Sequence, residues 1–281
     1  MISRRQFLIA AGAAFARQAQ PKGKPRVGCQ ANGFQLTSGD FASLLNALAS
    51  MKELGYTGFE CNIRFVRGQF GRKEARKEIE QTGVHFIGAH MSIMEAHPDL
   101  FPGLTQGVAA LGGECIVMSG PGLSPIGKFE PDAVRAKATK LEALAKTCRD
   151  NDLRLAYHNH NPEFANHNAE INALADATSS ELVDFLIDAG HAYLGGGNPA
   201  EFLEQHAARI LGFHIKTFRG GSESGQVPLG QGDFDFQDLA RAIQKTGWAG
   251  WLIDEEGGGP TPGNTGALGP DREYIRRVFG V

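Results

Sequence analysis

Eight short apolar runs of strand length punctuate the chain, at residues 26–30, 58–62, 85–90, 115–118, 153–158, 183–188, 210–214 and 250–255. Between them lie stretches whose apolar residues recur at helical spacing, among them 41–54, 72–82, 131–151, 199–206 and 236–246. Helix punctuation agrees, with Ser38-Gly39-Asp40 before the first of these and Gly55 and Gly83 after the first and second. Near-continuous apolar strands set between amphipathic helices predict a parallel sheet buried on both faces.

Eight alternating units with no second compositional regime favour a closed barrel over an open sheet. The length of 281 residues is near that of one such barrel, and no GxGxxG follows the first strand. The predicted fold is therefore α/β, a single (β/α)8 TIM barrel over residues 25–281. Trp251, Phe213 and, by alternation, the ring of Tyr157 are expected to pack away from any site. Residues 257–270, rich in Gly and Pro, are expected to wrap the rim as irregular chain. The Gly- and Ser-rich segment 220–232 is expected to be a mobile loop that closes over a ligand.

Several apolar runs end abruptly in a carboxylate or an imidazole. Leu155-Ala156-Tyr157 runs into His158-Asn159-His160, Phe185-Leu186-Ile187 into Asp188, Gly212-Phe213 into His214, and Trp251-Leu252-Ile253 into Asp254-Glu255. A parallel barrel presents the C-terminal ends of its strands on one face, where active sites form. Buried groups of this kind are costly unless paired or bound to metal. His158, Asp188, His214 and Glu255 are thus candidate ligands for a divalent ion such as Mn, Mg, Zn, Co or Fe. Taken singly, each has a plain structural explanation: a hydrogen-bonding histidine, an aspartate capping a turn, a rim acid beside Asp254 and Glu256. Together they favour a metal. Glu60, His90, His191, Lys216 and Arg219 also stand at or just after strand ends. A rim this polar suits a polyhydroxylated ligand.

Composition narrows the setting. Hydrophobic residues make up 42% of the chain, enough for a large core, and the formal net charge of −3 advertises no basic surface for nucleic acid. Cys29, Cys61, Cys115 and Cys148 show no metal or disulfide spacing and read as small apolar residues. The N-terminus has a separate purpose. Ser3-Arg4-Arg5-Gln6-Phe7-Leu8, then an apolar run over 9–15, matches a twin-arginine export signal with cleavage after Ala16 or Ala19. Residues 1–24 are assigned to that signal and its linker. The run is too short for a stable membrane anchor, so the expected location is periplasmic or exported.

The motifs Tyr157-His158-Asn159-His160-Asn161-Pro162-Glu163-Phe164, Asp188-Ala189-Gly190-His191, His214-Ile215-Lys216, Leu229-Gly230-Gln231-Gly232-Asp233-Phe234-Asp235 and Gly250-Trp251 through Glu255 carry a resemblance. From about residue 26 to 256 the chain resembles the xylose-isomerase-like barrels of sugar phosphate isomerases and epimerases, nearest the inosose dehydratase and "YHNH" branches. In the epimerase branch the resemblance implies a metal held by Glu, Asp, His and Glu from strands five to eight. Asp188, His214 and Glu255 match; His158 stands where the strand-five glutamate is expected. Either His158 replaces it, the favoured choice, or Glu163 reaches back from the loop. The resemblance also implies substrate contact by His191 and a role for Lys216.

The implied function is a divalent-metal-dependent isomerase or epimerase that deprotonates a keto-sugar or related polyol to an enediolate. His160 is the candidate base, while Glu255 and Lys216 handle protons and charge. Loss of a β-hydroxyl from the same intermediate would make it a dehydratase or lyase on a 3-keto-glycoside or keto-inositol, and His158 tilts that way. A non-catalytic sugar-binding barrel is the further alternative. An endonuclease-IV-like repair enzyme is disfavoured by the charge and the export signal. Expected partners are a small carbohydrate and the twin-arginine export machinery, without nucleic acid or membrane, and a homo-oligomer is allowed.

Overall fold

The computed structural model describes residues 23–34, 36–123, 129–255 and 265–281. Strands β1 (Arg26–Gln30), β2 (Gly58–Asn62), β3 (His85–Ser92), β4 (Cys115–Ser119), β5 (Arg154–His158), β6 (Val183–Asp188), β7 (Ile210–Ile215) and β10 (Trp251–Asp254) pair in parallel and close, β10 against β1. Strands β8 (Thr217–Phe218) and β9 (Gln226–Val227) form a separate antiparallel hairpin after β7. Helices α1 (Phe41–Glu53), α2 (Ala75–Gln81), α3 (Phe101–Ala110), α4 (Pro131–Arg149), α5 (Asn161–Ala177), α6 (Ala189–Leu194), α7 (Pro199–His206), α8 (Gln237–Thr246) and α9 (Leu268–Phe279) alternate with the strands. The barrel expected from the sequence is the one observed.

Pleat alternation decides which side chains meet at the barrel axis. Ile87, Cys115, Val117, Ala156, Leu186, Leu211, Trp251 and Ile253 form one buried cluster within the barrel, distinct from the larger one between strands and helices. Trp251 fills the N-terminal end, with the Arg26 guanidinium 3.9 Å from its ring centroid. Gly58 makes room for it, since a Cβ there would come within 2.7 Å of the indole. The other end of the barrel is left for polar side chains.

Two irregularities set what those are. The β2–β3 register shifts between Phe59 and Glu60, so Ile87 is an extra residue, and the β6–β7 register shifts between Phe185 and Leu186, so Leu211 is another. A one-residue slip exchanges the faces of everything after it. Beyond the shifts Ala89, Met91, Phe213 and Ile215 pack in the outer cluster, and His90 and His214 turn inward.

Two local features were not foreseen in the sequence, a left-handed stretch inside α5 and the start of α9. Helix α5 contains Asn166, His167 and Asn168 at φ of 51°, 60° and 61°, a left-handed stretch that Asn tolerates better than most residues. Asn168 holds it by a paired contact with the backbone of Asn198, accepting from its N–H at 2.8 Å and donating to its carbonyl at 2.9 Å. Residues 268–270, expected to be irregular, begin helix α9, while 256–264 lie outside the described residues. Of the expected leader and linker over residues 1–24, residues 1–22 also lie outside them. Cys29, Cys61, Cys115 and Cys148 are buried thiols outside any disulfide.

Asn168→Ala should remove both hydrogen bonds and leave a residue ill suited to a positive φ, at a cost of about 1–3 kcal/mol. Urea unfolding measures this; wild-type stability in the variant would show that the left-handed stretch is not held in this way.

Candidate active site and metal centre

One polar residue from each barrel strand enters the same end of the barrel: Gln30, Glu60, His90, Ser119, His158, Asp188 and His214, with Glu255 directly after β10. Most are fully buried, so their hydrogen bonds determine the electrostatics. Asp254, next to Glu255, faces outward instead and accepts a hydrogen bond from Tyr56.

Asp188 is fixed from two sides. Asn159 accepts from its backbone N–H at 2.9 Å and donates to its carbonyl at 3.1 Å. Its Oδ1 caps α6 by accepting from the His191 N–H at 2.8 Å. Oδ2 is left facing the Lys216 ammonium at 2.6 Å and the Nε2 atoms of His158 and His191, each at 3.7 Å. Lys216 also donates to Glu255 Oε2 at 3.0 Å.

His214 lies between two carboxylates. Its Nε2 is 2.7 Å from Glu60 Oε2 and its Nδ1 is 2.8 Å from Glu255 Oε2, the latter outside hydrogen-bonding geometry. Burial alone would lower its pKa, but the charges of Glu60 and Glu255 outweigh burial and raise it to about 10. His158 behaves oppositely: burial, reinforced by His214 and His90, drives it well below the ordinary value and keeps it neutral. Glu255, despite its burial, is held well below the usual carboxylate range by Lys216 and His214. Lys216 is likewise held protonated, Asp188 and Glu255 overcoming burial.

These residues fit a divalent cation. Ligand atoms of His158, Asp188 and His214 lie within 4.8 Å of one another, and all three residues are buried. His158 Nδ1 is buried without a hydrogen bond, and Asp188 Oδ2 and His214 Nδ1, though ion-paired with Lys216 and Glu255, make none of regular geometry. Buried orphan atoms call for an explanation, and the donor set, imidazole plus carboxylate, is one that divalent metals accept. Glu255 adjoins the group, with 21% of its side chain exposed.

Beside this cluster is a cavity of about 290 Å³, lined by His90, His158, His160, His191, Lys216 and Glu255 together with Asn32, Asn62, Ser92, Glu95 and Ser119. The rings of His160 and His191 are 5.3 Å apart. His191 Nδ1 is 2.6 Å from Asn161 Oδ1, and burial lowers its pKa. From the β8–β9 hairpin, Glu223 accepts from Asn161 at 2.6 Å, which brings that connection over the cavity edge.

Three expected site residues lie elsewhere or are otherwise engaged. Glu163, the alternative fourth ligand, is turned away: its Oε1 accepts from Tyr157 at 2.6 Å and its Oε2 from the His160 N–H at 3.2 Å, closing the first turn of α5. Arg219, expected to bind substrate, is exposed and donates to the carbonyl of Gln231 at 3.0 Å within its own loop. Glu60, also expected to bind substrate, has no solvent exposure and both oxygens engaged. Sequence reasoning did not assign roles to Asn159 and Asn161, although both stand inside the Tyr157–Phe164 motif that drew attention to this strand end.

A parallel eight-stranded barrel with mixed imidazole and carboxylate donors at its C-terminal mouth defines a class of enzyme scaffold. The chain belongs to the xylose isomerase-like TIM barrel family, whose model matches residues 48–277. It is 26% identical over 248 residues to an inosose dehydratase of Clostridium botulinum, covering 78% of each chain. Among solved structures it is similar to an L-ribulose 3-epimerase, with a TM-score of 0.75 and 18% identity over 91% of this chain and 95% of that one. It also resembles the zinc-bound IolI protein, with a TM-score of 0.71 and 14% identity over 91% and 98%. These structural likenesses establish the fold.

Asp188→Ala or His214→Ala should lower bound divalent metal at least about tenfold while circular dichroism still reports the barrel. Glu163→Gln should leave metal content unchanged. Elemental analysis of the purified variants measures both, and the opposite pattern would reassign the ligand set.

Proposed function

We propose that the protein is a divalent-metal-dependent enzyme of the sugar isomerase, epimerase and dehydratase superfamily, and that it eliminates a β-leaving group from a keto-sugar or keto-cyclitol. The observation that carries this reading is the end of β5. There His158 is a neutral imidazole where a proton-exchanging pair of carboxylates would need an acid, and Glu163 faces the helix rather than the cavity. The inosose dehydratase relative supports the same choice. His158, Asp188 and His214, with Glu255 beside them, would hold the ion. Bound there, it would supply Lewis-acid stabilisation of the charge developing on the substrate carbonyl oxygen.

The chain's own groups account for the proton. His160, on the cavity wall, takes it from the carbon next to the carbonyl. The imidazolium so formed hands the proton to the departing β-hydroxyl, so that the carbon–oxygen bond breaks, water leaves and His160 returns to its starting state. Lys216 is fixed as a cation by Asp188 and Glu255 and acts as an oxyanion stabiliser rather than an acid. His191, oriented by Asn161, binds a substrate hydroxyl.

Isomerisation or epimerisation is the second reading. It is favoured by the closeness of His160 and His191, since the second imidazole could return the proton at another position. We further propose that the enzyme works outside the cytoplasm, on the strength of Ser3-Arg4-Arg5-Gln6-Phe7-Leu8.

With a panel of keto-sugars and keto-inositols, the metal-loaded protein should generate enone absorbance. His160→Ala should retain its metal and lose about 10²–10⁴-fold in rate. Exchange of substrate protons with heavy water in the absence of enone would replace elimination by the second reading. Changing Arg4 and Arg5 together to lysine should keep the full-length protein in the cytoplasm of a twin-arginine-competent host, as read by cell fractionation; unchanged export would refute the assigned signal.

A further inference from the structure

A carboxylate closed off from solvent at the centre of a site normally either binds the ligand or is an accident of packing. Glu60 does neither. Its side chain has no solvent exposure and three donors surround it. Oε1 is 3.0 Å from Gln30 Nε2 and 2.9 Å from His90 Nδ1, and Oε2 is 2.7 Å from His214 Nε2. The Gln30 amide is itself oriented, because its Oε1 accepts from the Asn32 N–H at 3.0 Å, which leaves Nε2 as the group facing Glu60. A carboxylate accepts only, so each imidazole must present an N–H to it.

Each such hydrogen bond leaves the other ring nitrogen for a different task. With His214 Nε2–H held on Glu60, Nδ1 is the nitrogen left to face His158, Asp188 and Glu255, and it is the one that would give up its proton to a metal bound there. With His90 Nδ1–H on Glu60, Nε2 carries the lone pair on a ring that lines the cavity. We propose that Glu60 is a positioning residue that fixes the tautomers of two histidines at once, making His214 an Nδ1 metal ligand and His90 an Nε2 acceptor for a substrate hydroxyl. This rests on the metal reading of the site given above.

Outer carboxylates that orient a ligating histidine typically contribute 10–100-fold to metal affinity. Glu60→Met, of similar length but without an acceptor, should therefore weaken zinc binding about 10–100-fold in competition with a chromophoric chelator. Its far-ultraviolet circular dichroism should stay that of the barrel. Glu60→Gln, which can still accept at its amide oxygen, should fall between Glu60→Met and wild type.

Long-range ¹H–¹⁵N spectra of the zinc-loaded wild type, labelled at histidine, test the same claim without any variant. They should show His214 protonated at Nε2 with zinc on Nδ1, and His90 protonated at Nδ1. Should Glu60→Met fail to fold, these spectra decide alone. Wild-type zinc affinity in folded Glu60→Met, or zinc on His214 Nε2, overturns the inference and leaves the metal reading standing. Failure of the wild type to bind zinc or another divalent ion overturns both.

Discussion

An ionised carboxylate with no access to water persists only if the protein replaces its hydration completely. Glu60 meets that condition through three donors from three strands, Gln30 on β1, His90 on β3 and His214 on β7. Burial opposes its ionisation, yet His214 and His90 hold its pKa down to about 2, so the charge is retained. The rest of the mouth is arranged around it. His214 can face Glu60 only because Leu211 is an extra residue in β7, and His90 only because Ile87 is one in β3. Without those slips both rings would lie among the outer side chains, and Glu60 would be a buried charge without partners.

A second buried charged group does comparable work behind β5. Lys137 lies 2.8 Å from Glu170 and 3.6 Å from Glu163, and Glu163 takes the hydroxyl of Tyr157. Because Glu163 also accepts from the backbone of His160, this network fixes the point where chain leaves the strand and becomes α5. His160 therefore enters the cavity from a backbone anchored on the helix side of the barrel. The left-handed turn at Asn166–Asn168 follows within the same helix and is clamped to Asn198 at the start of α7. Rigid support under a cavity residue is what a proton-transferring group requires, since misplacement of about 1 Å can cost about 10²-fold in rate.

Much of this was legible in the sequence because burial on both faces writes parallel strands as apolar runs. All eight barrel strands stand where those runs stand, within one or two residues at either end. Strand ends were legible for the same reason: a polar residue closing an apolar run is conspicuous, and so Asp188, His214, His158 and Glu255 drew attention together. What the sequence concealed was direction and accessibility. An inserted Ile87 or Leu211 looks like any other apolar residue of its strand, though it decides which way His90 and His214 face. Glu60 looked like a group for substrate because nothing in a linear string reports that both its oxygens are engaged. Glu163 looked like a ligand within reach until Tyr157 and the start of α5 were placed beside it. Helix α5 shows no clean helical period because four of its residues leave the helical conformation.

The residue at the end of β5 links this architecture to reaction type. An acid–base pair works when two environments push two groups to opposite protonation states, and two carboxylates facing across a substrate do this with a proton shared between them. Here the β5 position is an imidazole that burial, His214 and His90 all keep uncharged, and the facing Glu255 is committed to Lys216 and His214. Neither is disposed to accept a substrate proton. In the proposed reaction, proton handling then passes to His160 and His191, which sit together on one wall of the cavity. A base confined to one side of the substrate readily removes a proton and returns it to a leaving group on that same side. Inverting a carbon requires delivery from the opposite face of the substrate, a task the imidazole at the end of β5 is not suited to perform. Elimination therefore asks least of the groups at this barrel mouth.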